Sequence, residues 1–235
     1  MKKIFSSLLC VGILSTFANA ANMISVDTSF ASIKNEDDDI DIKKDTITFW
    51  SIKAQKYVTD DNEGAFAGVL RIGGGYFYSD IVDLITDEKH KAGIKYVDGD
   101  ALLGYGFYTQ ENIHKTSISL LGGFHGKSYV FDDETETNKP NLDKLNLVGI
   151  KFGVSALTIL QNEIVLNADV FARKYINAKS KVHKKHRRVK IDANAMLGYK
   201  FGQNKDGLII GFKYGYRDDI INKGEHFGIS VGYIF

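Results

Sequence analysis

Large apolar side chains recur at every second position through most of this chain, the mark of β-strands with two unlike faces. At the end of the chain Phe227, Ile229, Val231, Tyr233 and Phe235 alternate with His226, Gly228, Ser230, Gly232 and Ile234. Before it, Leu208, Ile210, Phe212, Tyr214 and Tyr216 alternate with Ile209, Gly211, Lys213, Gly215 and Arg217. Earlier still, Val189, Ile191, Ala193, Ala195, Leu197, Tyr199 and Phe201 alternate with Lys190, Asp192, Asn194, Met196, Gly198 and Lys200. One face is greasy with aromatics near its ends, and the other carries Lys, Asp, Asn and Gly. A soluble sandwich puts its polar residues on the outside and does not turn lysines inward. A closed barrel in lipid needs the opposite arrangement: an apolar outer band, aromatic girdles and a polar lumen.

The connections carry an independent argument. Short links are expected at Thr109–Asn112, Leu160–Glu163 and Gln203–Asp206, and longer polar links at Ser79–Ile94, Lys127–Asp143, Asn177–Arg187 and the shorter Asp218–Gly224. Strict alternation of short and long links is the pattern of periplasmic turns and extracellular loops. It puts the C-terminus on the periplasmic side.

The first twenty residues read as a cleaved signal peptide, residues 1–20. Lys2 and Lys3 precede a mostly apolar stretch from Ile4 to Phe17, and Ala18-Asn19-Ala20 supplies small residues for cleavage. That stretch is shorter than the roughly 20 residues of a membrane helix. Cys10, the single cysteine, lies inside it after Leu9, where a lipoprotein signal would have a small residue. Cleavage therefore leaves no thiol, so neither a disulfide framework nor a cysteine zinc site is available. With 30 basic and 29 acidic residues in the whole chain, the balance also speaks against a general polyanion or nucleic-acid binder. No later apolar run is long enough for a helical span, and residues 21–235 read as one barrel domain.

Eight strands are placed at about 65–78, 95–109, 112–126, 144–158, 162–176, 188–202, 206–217 and 225–235. Residues 21–64 decide whether the barrel has more. A strand from Thr46 to Val58 would turn Thr48, Trp50, Ile52 and Ala54 to lipid, but Ile47 and Phe49 then occupy the other face. A bulge, or apolar residues filling the lumen, reconciles this. Met23–Ile33, with Ile24, Val26, Thr28 and Phe30 on one face, supplies its partner. Asn35–Asp45 is then an extracellular loop and Thr59–Glu63 a periplasmic turn. Single-chain bacterial barrels have even strand numbers. The preferred fold is an all-β, antiparallel, up-and-down transmembrane barrel of ten strands, with eight strands and an N-terminal extension as the alternative.

Projected inward, the strands place Arg71, Lys151, Asp169, Arg173, Lys190, Asp192, Lys213 and Arg217 in the lumen. A barrel of this size is narrow, so these charges are expected to pair and fill it. A small anion-favouring pore is the sharper alternative, because bases outnumber acids. Gly73-Gly-Gly75 falls inside a strand and is expected to relieve crowding rather than cradle phosphate. The histidines are His90, His114, His125, His183, His186 and His226, and no Gly-x-Ser-x-Gly or His-Glu-x-x-His occurs. His125 with Ser128, and Glu225-His226 with Asp218 or Asp219, are the constellations an outer-leaflet lipid A hydrolase or protease would use. The expectation is nevertheless a non-enzymatic protein with no cofactor and no metal. Of the loops, Glu36 to Asp39 with Asp41, and Asp132 to Glu134 with Glu136, are acidic. The tract from Lys179 to Lys190 is basic, and Lys179, Lys181, Lys184, Lys185, Arg187 and Arg188 are candidates for gripping lipopolysaccharide phosphates or an acidic polysaccharide.

Two resemblances add to this reading. The terminal Phe227-Gly-Ile-Ser-Val-Gly-Tyr-Ile-Phe235 resembles the C-terminal signal of Gram-negative outer-membrane barrels, which implies recognition of Phe227, Ile229, Val231, Tyr233 and Phe235 by the barrel-assembly machinery. Leu70-Arg-Ile-Gly-Gly-Gly-Tyr-Phe-Tyr78, Leu103-Gly-Tyr105 and Gly149-Ile-Lys-Phe-Gly153 resemble the small outer-membrane accessory subunit of cellulose-synthesis systems, which implies a place beside polysaccharide export. The expected protein is thus a monomeric outer-membrane barrel of a Gram-negative bacterium. It is expected to contact membrane lipid and lipopolysaccharide, and to work through its extracellular loops in envelope integrity, surface contact or glycan binding.

Overall fold

A computed structural model describes residues 22–32, 46–58, 65–82, 89–111, 113–133, 144–176, 189–202, 206–218 and 223–235. They form ten strands: β1 (Met23–Ser32), β2 (Thr46–Lys56), β3 (Ala65–Val82), β4 (Lys89–Glu111), β5 (His114–Asp133), β6 (Lys144–Leu160), β7 (Ile164–Tyr175), β8 (Lys190–Phe201), β9 (Gly207–Asp218) and β10 (Lys223–Ile234). Each pairs antiparallel with its neighbours in sequence, and β1 pairs with β10, so the sheet closes into a barrel. The signal peptide, the acidic loop 35–45, the turn 59–63 and the basic residues 179–188 lie outside the described residues.

Ten strands, not eight, close the wall, and the N-terminal pair is part of it. The β1–β10 seam sets Ile24 opposite Tyr233, Val26 opposite Val231, Thr28 opposite Ile229 and Phe30 opposite Phe227. The β1–β2 ladder runs without interruption from Met23–Gln55 to Ser32–Thr46. No bulge therefore interrupts it, and the broken alternation of β2 comes from apolar residues inside the lumen. Ile47 is fully buried there and Phe49 packs beside it. Asn22 ties the seam at its lower end: its carbonyl accepts from the Phe235 N–H (3.0 Å), and its side chain exchanges hydrogen bonds with the Tyr57 backbone (2.7 and 2.8 Å).

The outer face is apolar throughout its height, with Val26, Ile72, Leu103, Phe124, Phe152, Leu166, Leu197, Phe212 and Ile229 all exposed. Near the end where short turns 112–113 and 161–163 join the strands, same-face aromatics two residues apart stack edge to face. These pairs are Tyr105–Phe107, Tyr199–Phe201 and Tyr233–Phe235. Near the other end Tyr214 packs on Phe227 (5.1 Å), and Phe30, Trp50 and Tyr76 are exposed. A wall that is apolar outside and rimmed by aromatics at both ends is built for lipid rather than water.

The strands differ in length more than their sequence suggests. β1, β2 and β7 to β10 have 10 to 12 residues, close to the roughly 9–11 that cross a membrane. β3, β4, β5 and β6 have 18, 23, 20 and 17. Residues 79–82, 89–94 and 127–133 of the expected links are therefore strand. The β3–β4 ladder continues to Val82–Lys89, whereas β2–β3 stops at Thr48–Tyr76 and β6–β7 at Gly149–Tyr175. Beyond lipid the apolar-out requirement lapses, so residues such as Ser79, Asp80, Lys89 and Lys91 can continue a ladder without alternation. Strict short–long alternation of the links fails as well, because only residues 219–222 separate β9 from β10 while 57–64 separate β2 from β3.

Glycines admit side chains to this narrow interior. A Cβ on Gly73 would sit 2.9 Å from both Arg71 Nη1 and Asp98 Oδ1, and one on Gly75 would sit 2.7 Å from the Tyr96 ring. The glycine run therefore makes room for a charge pair and an aromatic ring. Unboiled protein should run as a compact band on detergent gels and convert to a slower band on heating. Gly73→Val should lower the conversion temperature, and an unchanged temperature would contradict this packing.

Candidate functional site

Inside the wall, the lumen is filled in layers. Toward the short-turn end Met23, Tyr57, Leu157, Val165, Met196, Ile209 and Ile234 form an apolar cluster. Val58, Ala67, Val69, Leu102, Leu121 and Phe171 form a second. Tyr57 and Val58 follow β2 and turn inward: the Tyr57 hydroxyl accepts from Asn167 Nδ2 (2.9 Å), and the Val58 N–H donates to Ser117 Oγ (3.1 Å). Toward the opposite end Ile47, Phe77, Ile94, Tyr96, Tyr129, Leu147 and Tyr175 form a third cluster, with Lys127 Nζ 3.9 Å from the centre of the Tyr96 ring.

Between these apolar layers lies a network of ion pairs. Asp100 is its hub: it accepts from Arg71 Nε (2.8 Å) and Lys151 Nζ (3.0 Å), and its other oxygen is 2.6 Å from His125 Nδ1. Arg71 also reaches Asp98 (2.9 Å). Lys151 and Arg173 both approach Asp192, at 3.7 and 3.2 Å. Below this group Lys213 donates to Asp27 (3.0 Å), and Asp169 accepts from Ser155 (2.5 Å).

Two pairs cross the full width of the lumen. In the strand order of the closed sheet β2 stands opposite β7, and β4 opposite β9. Lys53 on β2 meets Asp169 on β7 at 3.6 Å, and Arg217 on β9 meets Asp98 on β4 at 3.5 Å. Opposite walls touch through single side chains. Among them lies a cavity of about 50 Å³, bordered by Asp27, Lys53, Arg71, Lys151, Lys213 and Arg217 among others.

The sequence-derived lumen residues Arg71, Lys151, Asp169, Arg173, Lys190, Asp192, Lys213 and Arg217 thus all take part in ion pairs, Lys190 with Asp218 at 3.1 Å. Asp27, Lys53, Asp98, Asp100 and His125 join them and were not foreseen. The signal for Asp98 and Asp100 was present: they share the face of Leu102, which is buried. The pairing of His125 with Ser128 is not formed. His125 is buried in the lumen between Asp100 and Tyr175, whereas Ser128 lies on the opposite face and bonds Asn146 (2.7 Å). His226 faces inward, 2.9 Å from Asn194 Oδ1, and Glu225 faces outward. Asp219 and all but the end of the basic tract are outside the described residues. Among the described residues no group of His, Asp and Glu is arranged to hold a metal ion.

No protein-family model and no curated protein matches this chain. Solved structures do. The translocator domain of the autotransporter NalP from Neisseria meningitidis is 11% identical, with 100% of this chain and 97% of that one covered and a TM-score of 0.50. The transport unit of the autotransporter AIDA-I from Escherichia coli is 10% identical over 95% and 97%, with a TM-score of 0.46. The outer membrane protein OprG from Pseudomonas aeruginosa is 18% identical over 92% and 97%, at 0.42. At such identities the likeness is one of fold. A closed antiparallel barrel with an apolar, aromatic-rimmed wall belongs to an outer membrane.

Asp100 holds two bases and a histidine, so neutralising it leaves buried positive charge in excess of its remaining partners, Asp98 and Asp192. Asp100→Asn should destabilise the barrel by about 3–5 kcal/mol, read as a shift in urea unfolding in lipid vesicles. Trp50, the only tryptophan and exposed on the outer wall, reports that unfolding. Ser128→Ala, on the outer face, should change it by less than about 0.5 kcal/mol.

Proposed function

We propose that this protein is a non-enzymatic outer-membrane barrel with a closed lumen, working at its outer rim rather than by conducting solutes. The observation that carries the reading is the pair of braces across the lumen, Lys53–Asp169 and Arg217–Asp98, with a cavity of about 50 Å³ beside them. A barrel whose opposite walls are joined by salt bridges is rigid and presents fixed strand ends to the cell exterior. The overhang of β3, β4 and β5 extends that platform beyond the lipid.

The sequence between β7 and β8 carries a basic tract, with Lys179, Lys181, Lys184, Lys185, Arg187 and Arg188, and acidic stretches occur at 36–41 and 132–136. The basic tract suits lipopolysaccharide phosphates or an acidic polysaccharide at the cell surface. Insertion by the barrel-assembly machinery is read from the last strand: Phe227, Ile229, Val231, Tyr233 and Phe235 all face outward and form one side of the closing seam.

Two measurements test this. Purified protein in planar lipid bilayers should show no discrete conductance steps; steady anion-selective steps would replace the closed-lumen reading with that of a narrow pore. Replacing the six bases with Gln should weaken binding to lipopolysaccharide micelles more than tenfold, since each basic side chain at an anionic surface contributes about 1 kcal/mol. Unchanged affinity would leave the tract as solvated loop.

A further inference from the structure

We propose that the mid-lumen cavity is a binding site for a small inorganic anion of about chloride size, held with water between Arg71, Lys213 and Arg217. Five cations border the cavity, namely Lys53, Arg71, Lys151, Lys213 and Arg217, against the carboxylates Asp27, Asp100, Asp169 and Asp192. Within most of the pairs the base keeps more open surface than the carboxylate. Lys213 retains 17% of its side-chain surface while its partner Asp27 retains 6%. Arg217 retains 17% against 0% for Asp98, and Arg71 13% against 2% for Asp100. Lys53 and Asp169 are even, at 11% and 12%. The carboxylates lie under the bases, so the surface turned toward the cavity is predominantly positive.

Some of the donors on these bases are also held only loosely. A lysine ammonium carries three N–H donors and a guanidinium five, none of them able to accept. Lys213 meets Asp27 at 3.0 Å, but Lys53 and Arg217 meet their carboxylates only at 3.6 and 3.5 Å. Arg217 lies with its guanidinium carbon 5.3 Å from the centre of the Phe49 ring. Buried donors need acceptors, and contacts as long as these leave room for a further one. At about 50 Å³ the cavity has room for on the order of three or four water-sized occupants. A monovalent anion with water fits that room and answers both the charge and the loosely held donors. An organic phosphate or a sugar is too large for it.

The test uses the full-length protein folded in detergent micelles. Crystals grown with bromide should show an anomalous peak inside the lumen, in contact with Lys213, Arg71 or Arg217. At equal ionic strength, chloride or bromide should favour the folded barrel over gluconate in urea titrations, by about elevenfold in the folding equilibrium at ten times the dissociation constant. Lys213→Met and, separately, Arg217→Met should abolish that difference between anions. A lumen free of bromide, or a peak without any preference for chloride over gluconate, would overturn the proposal and leave the cavity with water only. Neither result depends on what the outer rim binds.

Discussion

In lipid no backbone N–H or C=O can be left without a partner, and this requirement underlies the rest of the molecule. Each unpaired group would cost several kcal/mol in hydrocarbon, so a sheet there must close on itself. Closure falls to β1 and β10, the two ends of the described chain, whose ladder runs from Met23–Ile234 to Ala31–His226. Asn22 completes it by joining Phe235 on one side and Gln55 on the other. Once the wall is closed, ten strands enclose a space narrow enough for side chains to fill. Every inward residue must then find a partner inside.

That second requirement shapes the lumen. An apolar plug would satisfy it most simply, and both ends of the lumen use one. The middle layer instead buries charge, which is stabilising only where partners are complete. Asp100 shows how completeness is reached, gathering an arginine, a lysine and a histidine from three neighbouring strands. The cross-lumen pairs add something the wall hydrogen bonds cannot. Lys53–Asp169 and Arg217–Asp98 join strands that share no ladder, so they resist flattening of the barrel as well as adding contact energy. Gly73 and Gly75 are the complement of this layer, since side chains there would collide with Asp98 and Tyr96.

The outer wall was legible in the sequence because lipid imposes one simple rule on alternate residues over the whole membrane height. Strand number followed once β1 and β2 were accepted, although Ile47 and Phe49 left two explanations open. Alternation alone cannot separate a bulge from an apolar lumen plug, because both put an apolar residue on the inner face. The overhang of β3, β4 and β5 was not legible, since above the lipid the rule that made strands visible no longer applies. Lumen pairing was the least accessible. Lys213 and Asp27 are separated by nearly the whole chain, and Arg217 and Asp98 meet only because five strands carry them to opposite walls. Periodicity tells which side chains face inward, whereas their heights depend on the stagger of every intervening ladder.

The same stagger explains why histidines that look like rim residues in sequence are interior ones. His125 is the twelfth residue of β5, a position that in a strand of membrane length would stand at the mouth, and β5 runs eight residues beyond it. Because β5 continues to Asp133, the ring is carried down to the level of Asp100. Its two nitrogens are then engaged by a carboxylate and by the Tyr175 hydroxyl. A histidine so held is a structural partner of the charge layer. Strand length, set by pairing in water beyond the membrane, thereby decides whether a polar side chain within it belongs to the surface or to the core.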